Sequence, residues 1–171
     1  MRIIVSDTSC IIDLHKVQLL LAIFELPYTF VIPHTLFENE LLGLTAAEKT
    51  ELLRRGMEVR ELDGVGVARA QDYFNAHPAL QLNDCFAMRM AEEIDDSILM
   101  TGDANLREVA ITKTIEVHGV LWTADELDQH RVVDRPTLQI AMRIFRDDPL
   151  VYLPGEEIRL RIRRFARARG R

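Results

Sequence analysis

Short, solidly apolar runs alternate along this chain with stretches in which apolar residues return every three or four positions. These are the periodicities of buried strands and of helices with one apolar face. The first run is Arg2-Ile3-Ile4-Val5-Ser6. Asp7-Thr8-Ser9 then offers N-cap residue types for a helix carrying Ile11, Ile12, Leu14, Val17, Leu20, Leu21 and Phe24. Tyr28-Thr29-Phe30-Val31-Ile32 reads as a second strand stopped by Pro33, followed by helices over about 34–44 and 46–55. Gly56 ends the latter, and residues 57–62 alternate like a half-buried strand. The pattern then predicts a helix at 65–76, a strongly periodic one at 82–94, a buried strand at 97–101 closed by Gly102-Asp103, a short helix at 104–111, a strand at 114–117 and a helix at 121–130.

Strands alternating with helices predict an α/β fold with a mainly parallel sheet. Residues 134–171 break the rhythm, reading as two helices at about 136–146 and 154–169 with no strand between. The expected organisation is a sheet domain over 1–130 and a helical extension over 131–171 packed on it.

Composition adds limits. The chain has 171 residues, 48% of them hydrophobic, an ordinary balance for one globular domain. No apolar run reaches the roughly 18–20 residues a membrane helix needs, and the first strand is too short for a signal peptide, so the cytoplasm is the expected location. Cys10 and Cys85 have no disulfide or zinc spacing and read as two reduced thiols. The net charge is −6, but residues 159–171 hold seven arginines and no acid, which leaves 14 basic against 27 acidic residues and a net −13 before them. Such an acidic body is poorly made for gripping nucleic acid by bulk charge. It suits the gathering of divalent cations where some of its acids converge.

Four acids sit where an open α/β sheet builds its sites, beyond the carboxyl ends of the strands. Asp7 follows the first strand and Asp103 the strand at 97–101. Glu40 and Asp84 lie on helices beside apolar faces, Glu40 among Leu36, Phe37, Leu41 and Leu44. Singly, Asp7 and Asp103 also read as N-caps, Asp84 as a first-turn acid and Glu40 as a surface residue. Together, four inward-leaning carboxylates call for a hard divalent ion, Mg²⁺ or Mn²⁺, to relieve their repulsion.

The ordered set of segments resembles PIN domains over about residues 1–130. Ile3-Ile4-Val5-Ser6-Asp7-Thr8-Ser9 is similar to the opening strand and acid. Phe30-Val31-Ile32-Pro33 with Leu36-Phe37 and Glu40-Leu41 is similar to the second strand and its glutamate helix. Leu82-Asn83-Asp84-Cys85-Phe86-Ala87 resembles the central acidic helix, and Ser97-Ile98-Leu99-Met100-Thr101-Gly102-Asp103 the strand with its Thr-x-Asp element. The resemblance implies a three-layer α/β/α fold with a five-stranded sheet in the order 3-2-1-4-5, and ribonuclease activity. It implies metal-binding and catalytic roles for Asp7, Glu40, Asp84 and Asp103. It implies hydroxyl or backbone contacts to ligands or phosphate at Thr8, Ser9 and Thr101, and a further polar group at Asn105. Many members are toxins of toxin–antitoxin pairs, held by an antitoxin protein, and many are homodimers. Three features depart from the pattern. Cys10 stands where one branch has proline. Glu38, five residues past Pro33, competes with Glu40, seven past it, and helical phase selects Glu40. The extension beyond about residue 131 exceeds the compact toxin form.

The expected chemistry is metal-assisted hydrolysis of RNA. The five histidines are scattered and none falls within the four segments. Ile158, Ile162 and Phe165 share one face of the last helix, which predicts packing, while Arg167–Arg171 reads as a loose tail able to touch RNA. Asp125, Glu126 and Asp128 read as a solvated face. Two rivals remain. An aspartyl phosphotransferase wants a second acid where Ser9 stands and a lysine near Thr101–Asp103, where there is none. A PIN-like module that has lost activity keeps the same acids.

Overall fold

The computed structural model describes residues 1–167. Strands β1 (Arg2–Ser6), β2 (Tyr28–Pro33), β3 (Glu58–Arg60), β4 (Ile98–Met100) and β5 (Glu116–His118) form one sheet in the order β3-β2-β1-β4-β5. Every neighbouring pair is parallel. β1 is central: Ile4 lies between Phe30 and Ile98, and Val5 between Val31 and Leu99. All six are essentially buried. A parallel sheet is covered on both faces, so successive side chains both need to be apolar, which is why these strands read as solid runs.

One face is covered by α1 (Thr8–Lys16), a 3-10 helix (Leu20–Glu25) and α7 (Val120–Gln129). The other is covered by α5 (Leu82–Glu93) and α6 (Ala104–Thr112), with α4 (Gly64–Ala76) on α5. Helices α2 (His34–Asn39) and α3 (Ala46–Arg55) carry the chain from β2 to β3. α8 (Arg135–Asp147) and α9 (Gly155–Phe165) pack on each other, and α8 also on α7. Leu138, Met142, Phe145, Ile158 and Phe165 join the same buried cluster as the sheet. Among the described residues no helix is long and apolar enough to cross a membrane. Cys10 and Cys85 are buried free thiols.

Four expectations need correction. The helix expected to reach Phe24 stops at Lys16, because Gln18 takes a left-handed φ of 59° and the chain restarts as the 3-10 helix. Val17, Leu20 and Ile23 are still buried, so the apolar spacing was real but two elements share it. The helix expected over 34–44 ends at Asn39, and Leu41 and Leu44 are buried from an irregular segment leading to Thr45, which caps α3 in a reciprocal box with Glu48. The last strand begins at Glu116, after a left-handed Thr114 (φ 59°). Finally, Asp125, Glu126 and Asp128 do not form a solvated face. Glu126 and Asp128 are buried, and Asp125 accepts from Arg161 Nη2 at 2.6 Å, Asp128 from Arg135 Nη2 at 2.9 Å and Glu126 from Tyr28 Oη at 2.6 Å. Their partners lie 36, 7 and 98 residues away in sequence, beyond any local pattern. The last helix ends at Phe165, and of the arginine-rich tail residues 168–171 lie outside the described residues.

Candidate active site

The carboxyl ends of β1 and β4 are tied together by a relay of short hydrogen bonds. The Asp7 amide donates to the Met100 carbonyl at 2.9 Å. Asp7 then caps α1, its Oδ1 accepting from the Thr8 amide at 2.7 Å. Its Oδ2 accepts from Ser9 Oγ at 2.7 Å and Thr101 Oγ1 at 2.9 Å. Those hydroxyls are themselves held. Ser9 Oγ accepts from the Gly102 amide at 2.9 Å, and Thr101 Oγ1 from the Asp103 amide at 3.0 Å. Asp103 caps α6 through the Leu106 amide at 2.7 Å. The capping and site readings of Asp7 and Asp103 are therefore compatible: each caps with one oxygen, and Asp7 uses the other to bind its neighbours.

Glu40 stands just past the last residue of α2 and reaches the same network. Its Oε2 accepts from Thr8 Oγ1 at 2.6 Å, and its Oε1 from Asn83 Nδ2 on α5. Glu38 is exposed and its side chain makes no hydrogen bond to these residues, so Glu40 is the glutamate brought in, from a capping position rather than by helical phase. Asp84, one residue after Asn83, accepts from the Gln81 amide through Oδ2 at 2.7 Å.

The four acids share one electrostatic field. Burial pushes the Asp7 carboxyl up from its ordinary value, with the Glu40 charge adding to it, against the hydrogen bonds from Ser9, Thr101 and Thr8 that pull it down. Asp84 is pushed up to about 6, first by burial and then by the charges of Asp7, Asp103 and Glu40, with the Gln81 amide opposing. Among the described residues none of the four forms an ion pair with a Lys, Arg or His.

Oxygen donors and an uncompensated negative field are what a hard divalent cation takes. Asp84 Oδ1 and Asp103 Oδ2 accept no hydrogen bond from any described residue, whereas both oxygens of Asp7 and of Glu40 are engaged. As placed, no three Asp, Glu, His or Cys side chains among the described residues converge closely enough to hold one ion. The cluster fits a metal in donor chemistry and field, without a ready-closed coordination sphere.

Thr8, Ser9 and Thr101 are thus drawn into the network, and Asn105 is not: it is exposed on α6, with no hydrogen bond to the acids. Two contributors carried no sequence signal. Asn83 holds Glu40. Arg107 donates to the carbonyls of Thr101 and Val117, both at 3.1 Å, bracing the ends of β4 and β5. A Cβ on Gly119 would stand 3.2 Å from Arg107 Nη2 and 3.3 Å from the Thr101 carbonyl, so glycine lets the brace lie close against this segment without a shift of a few tenths of an ångström. The described histidine partners lie elsewhere, His15 on Glu48 at 2.8 Å and His118 stacked on Trp122 at 4.3 Å.

Comparison with known proteins agrees with the fold. A family model described as a PIN domain, a nuclease-type fold whose members typically use divalent metals, matches residues 3–166, taking in α8 and nearly all that is described of the extension. No curated protein matches the chain significantly.

Proposed function

The chain belongs to the PIN-domain family, and from that membership we propose that it is a Mg²⁺- or Mn²⁺-dependent endoribonuclease acting through Asp7, Glu40, Asp84 and Asp103. The observation that carries this reading is the cluster itself: four acids gathered beyond the strand ends and linked by hydroxyls and amides, with no cationic partner among the described residues, where Asp84 is pushed up to about 6 first by burial and then by the other three charges. By contrast Asp125, Asp128, Glu156 and Glu157 are each paired with arginine, and carboxyls perturbed together in a cleft mark functional sites.

A divalent ion bound there supplies Lewis acidity to the scissile phosphate and lowers the pKa of an attacking water. Asp84 and Asp103 offer it their uncommitted oxygens. Ser9 and Thr101 fix Asp7, Thr8 and Asn83 fix Glu40, and the brace of Arg107 holds the Thr101 backbone. The acids are thereby preorganised, so little reorganisation is left for the reaction.

We propose RNA as substrate, a homodimer as the working form and the cytoplasm as the location, and hold the toxin role, with a neighbouring antitoxin as protein partner, open to test, because the extension beyond about residue 131 exceeds the compact toxin form. Exposed Ile12, Leu21 and Leu53 on the early helices, with Leu42 between α2 and α3, offer apolar side chains to a second copy, and two buried free thiols suit a reducing compartment. Growth arrest on expression, relieved by the adjacent gene, tests the toxin role.

A second reading has one observation in its favour. The engaged oxygens of Asp7 and Glu40, and the absence of a closed ligand set among the described residues, fit a PIN-like binding module that no longer cuts. One experiment separates the two. Wild type and Asp84→Asn are incubated with RNA in Mn²⁺, Mg²⁺ or EDTA. Cleavage that requires metal and falls at least about a hundredfold in the variant supports the nuclease. Equal cutting by both proteins, or none by either, sinks it.

A further inference from the structure

A cavity opens beyond the carboxyl ends of β2 and β3, beside the acid cluster and distinct from it. Its volume is about 320 Å³, and Pro33, Leu62, Val67 and Phe86 form its apolar walls. Thr35 and Arg60 add polar groups to the lining, and the rim carries Glu61, whose side chain is 78% exposed. Two elements tie it to the acids. The first turn of α2 lines it and the residue capping that helix is Glu40. Phe86 lies one helical turn beyond Asn83, which holds Glu40.

Thr35 is the unexplained part. Its hydroxyl oxygen is shielded from solvent and has no hydrogen-bond partner among the described residues. Leaving such a group unpaired costs stability, and folded proteins seldom do so without a reason. A wall that combines an aromatic ring, aliphatic side chains, a guanidinium and an unpaired hydroxyl matches a flat heterocycle with a polar edge. The volume is at the low end for ligand pockets, enough for one base and too small for a helix or strand.

We propose that this cavity seats one nucleobase of the RNA, near the phosphate that is cut. The inference rests on the nuclease reading above. The base lies against the Phe86 ring, while the exposed rim side chain of Glu61 moves aside so that Thr35 Oγ1 meets its edge, with the Arg60 guanidinium, paired with Glu58 at 2.6 Å, beside it. Choice of cleavage site then comes from this cavity and chemistry from the acids.

The test exploits the orphan hydroxyl. Thr35→Val keeps the side chain's shape and removes a group that satisfies nothing in the free protein, so its melting temperature should be unchanged or slightly higher. Cleavage sites are mapped on a random-sequence RNA pool with Mn²⁺ for wild type, Thr35→Val and Phe86→Leu. In parallel, binding of the four RNA homopolymers is measured by fluorescence anisotropy in EDTA. Wild type should favour one base at one position flanking the cut and bind its homopolymer best. Thr35→Val should reduce that preference about tenfold, and Phe86→Leu should weaken binding about tenfold, both with intact folds. The proposal is overturned if Thr35→Val keeps the wild-type preference in both assays, or if wild type binds all four homopolymers equally. If wild type does not cut at all, the nuclease reading falls, and the EDTA arm still decides whether the cavity takes a base.

Discussion

Acidic side chains stand in two settings in this molecule. On α7 and α9 four acids are met by arginine, Asp125 by Arg161 and Arg164, Asp128 by Arg135, Glu157 by Arg161 and Glu156 by Arg159, and the fifth, Glu126, by Tyr28 and His130. At the carboxyl ends of β1 and β4 and on the neighbouring helices, Asp7, Glu40, Asp84 and Asp103 are met only by hydroxyls and amides. The chain therefore has arginines to neutralise acids and uses them at one place and not at the other. An acid left uncompensated in a semi-buried cluster is a local conflict, and folds keep such conflicts where function needs them. Tyr28, the first residue of β2, meets Glu126 near the end of α7, and the Arg167 carbonyl accepts from Arg135 close by, whereas Asp7 and Asp103 follow the strand ends. The described part of the arginine-rich segment clamps α7 rather than reaching toward the acids.

Removing the clamped region altogether should give the largest effect. The proposed division makes 131–171 an extension packed on 1–130, and a chain ending at residue 130 strips the arginines from Asp125 and Asp128 and uncovers the α7 face that packs on α8. It should lose its cooperative thermal transition, followed by circular dichroism. A sharp transition within a few degrees of the full chain would show that the extension is dispensable to the fold. Next in size is Arg161→Met. The Arg161 side chain is only 14% exposed and serves both Asp125 and Glu157. The substitution should cost about 2 kcal/mol, or roughly 6 °C in Tm, while cleavage of RNA stays at the wild-type rate.

The smallest effect sharpens the comparison most, because its sign is opposite. In the metal-free protein the Asp84 carboxyl is pushed from 3.8 to about 6. A raised folded-state value means that the folded chain holds this proton more tightly, so Asp84 favours folding below about pH 4 and loses that contribution as pH climbs to about 6. Above pH 6 the charged carboxylate is a burden that a neutral amide in its place would lack. Asp84→Asn should therefore melt about 3 °C higher than wild type at pH 7.5, taking about 1 kcal/mol after discounting for solvent screening at this half-exposed group. The gap should close toward pH 4, and added Mn²⁺ should raise wild type alone. Parallel melting curves at all pH values would contradict a carboxyl raised by burial and by its acidic neighbours.

Much of this was legible in the sequence, for physical reasons. The parallel strands are buried on both faces, so Ile3-Ile4-Val5 and Ile98-Leu99-Met100 stand out as unbroken apolar runs, and the acids that follow them inherit their position from the strands. The capping acids Asp7 and Asp103 mark true helix starts. What escaped depends on tertiary partners. Nothing local reveals that Gln18 reverses the chain, that Asp125 awaits Arg161, that Asn83 rather than Asn105 joins the acids, or that Arg107 braces two strand ends beneath Gly119. Helical phase selected Glu40 over Glu38 although the helix had already ended, because the irregular segment keeps Leu41 buried and so turns Glu40 toward Thr8.

The bond from Thr101 to Asp7 joins residues 94 apart in sequence. β1 can pair with β2 after a short excursion, but its other neighbour arrives only after β3, α4 and α5 have been laid down. Contacts of such separation form slowly and late in folding. A partly folded chain that has made only its nearer pairings lacks half of the acid cluster, so whatever the cluster does is withheld until the whole sheet has closed.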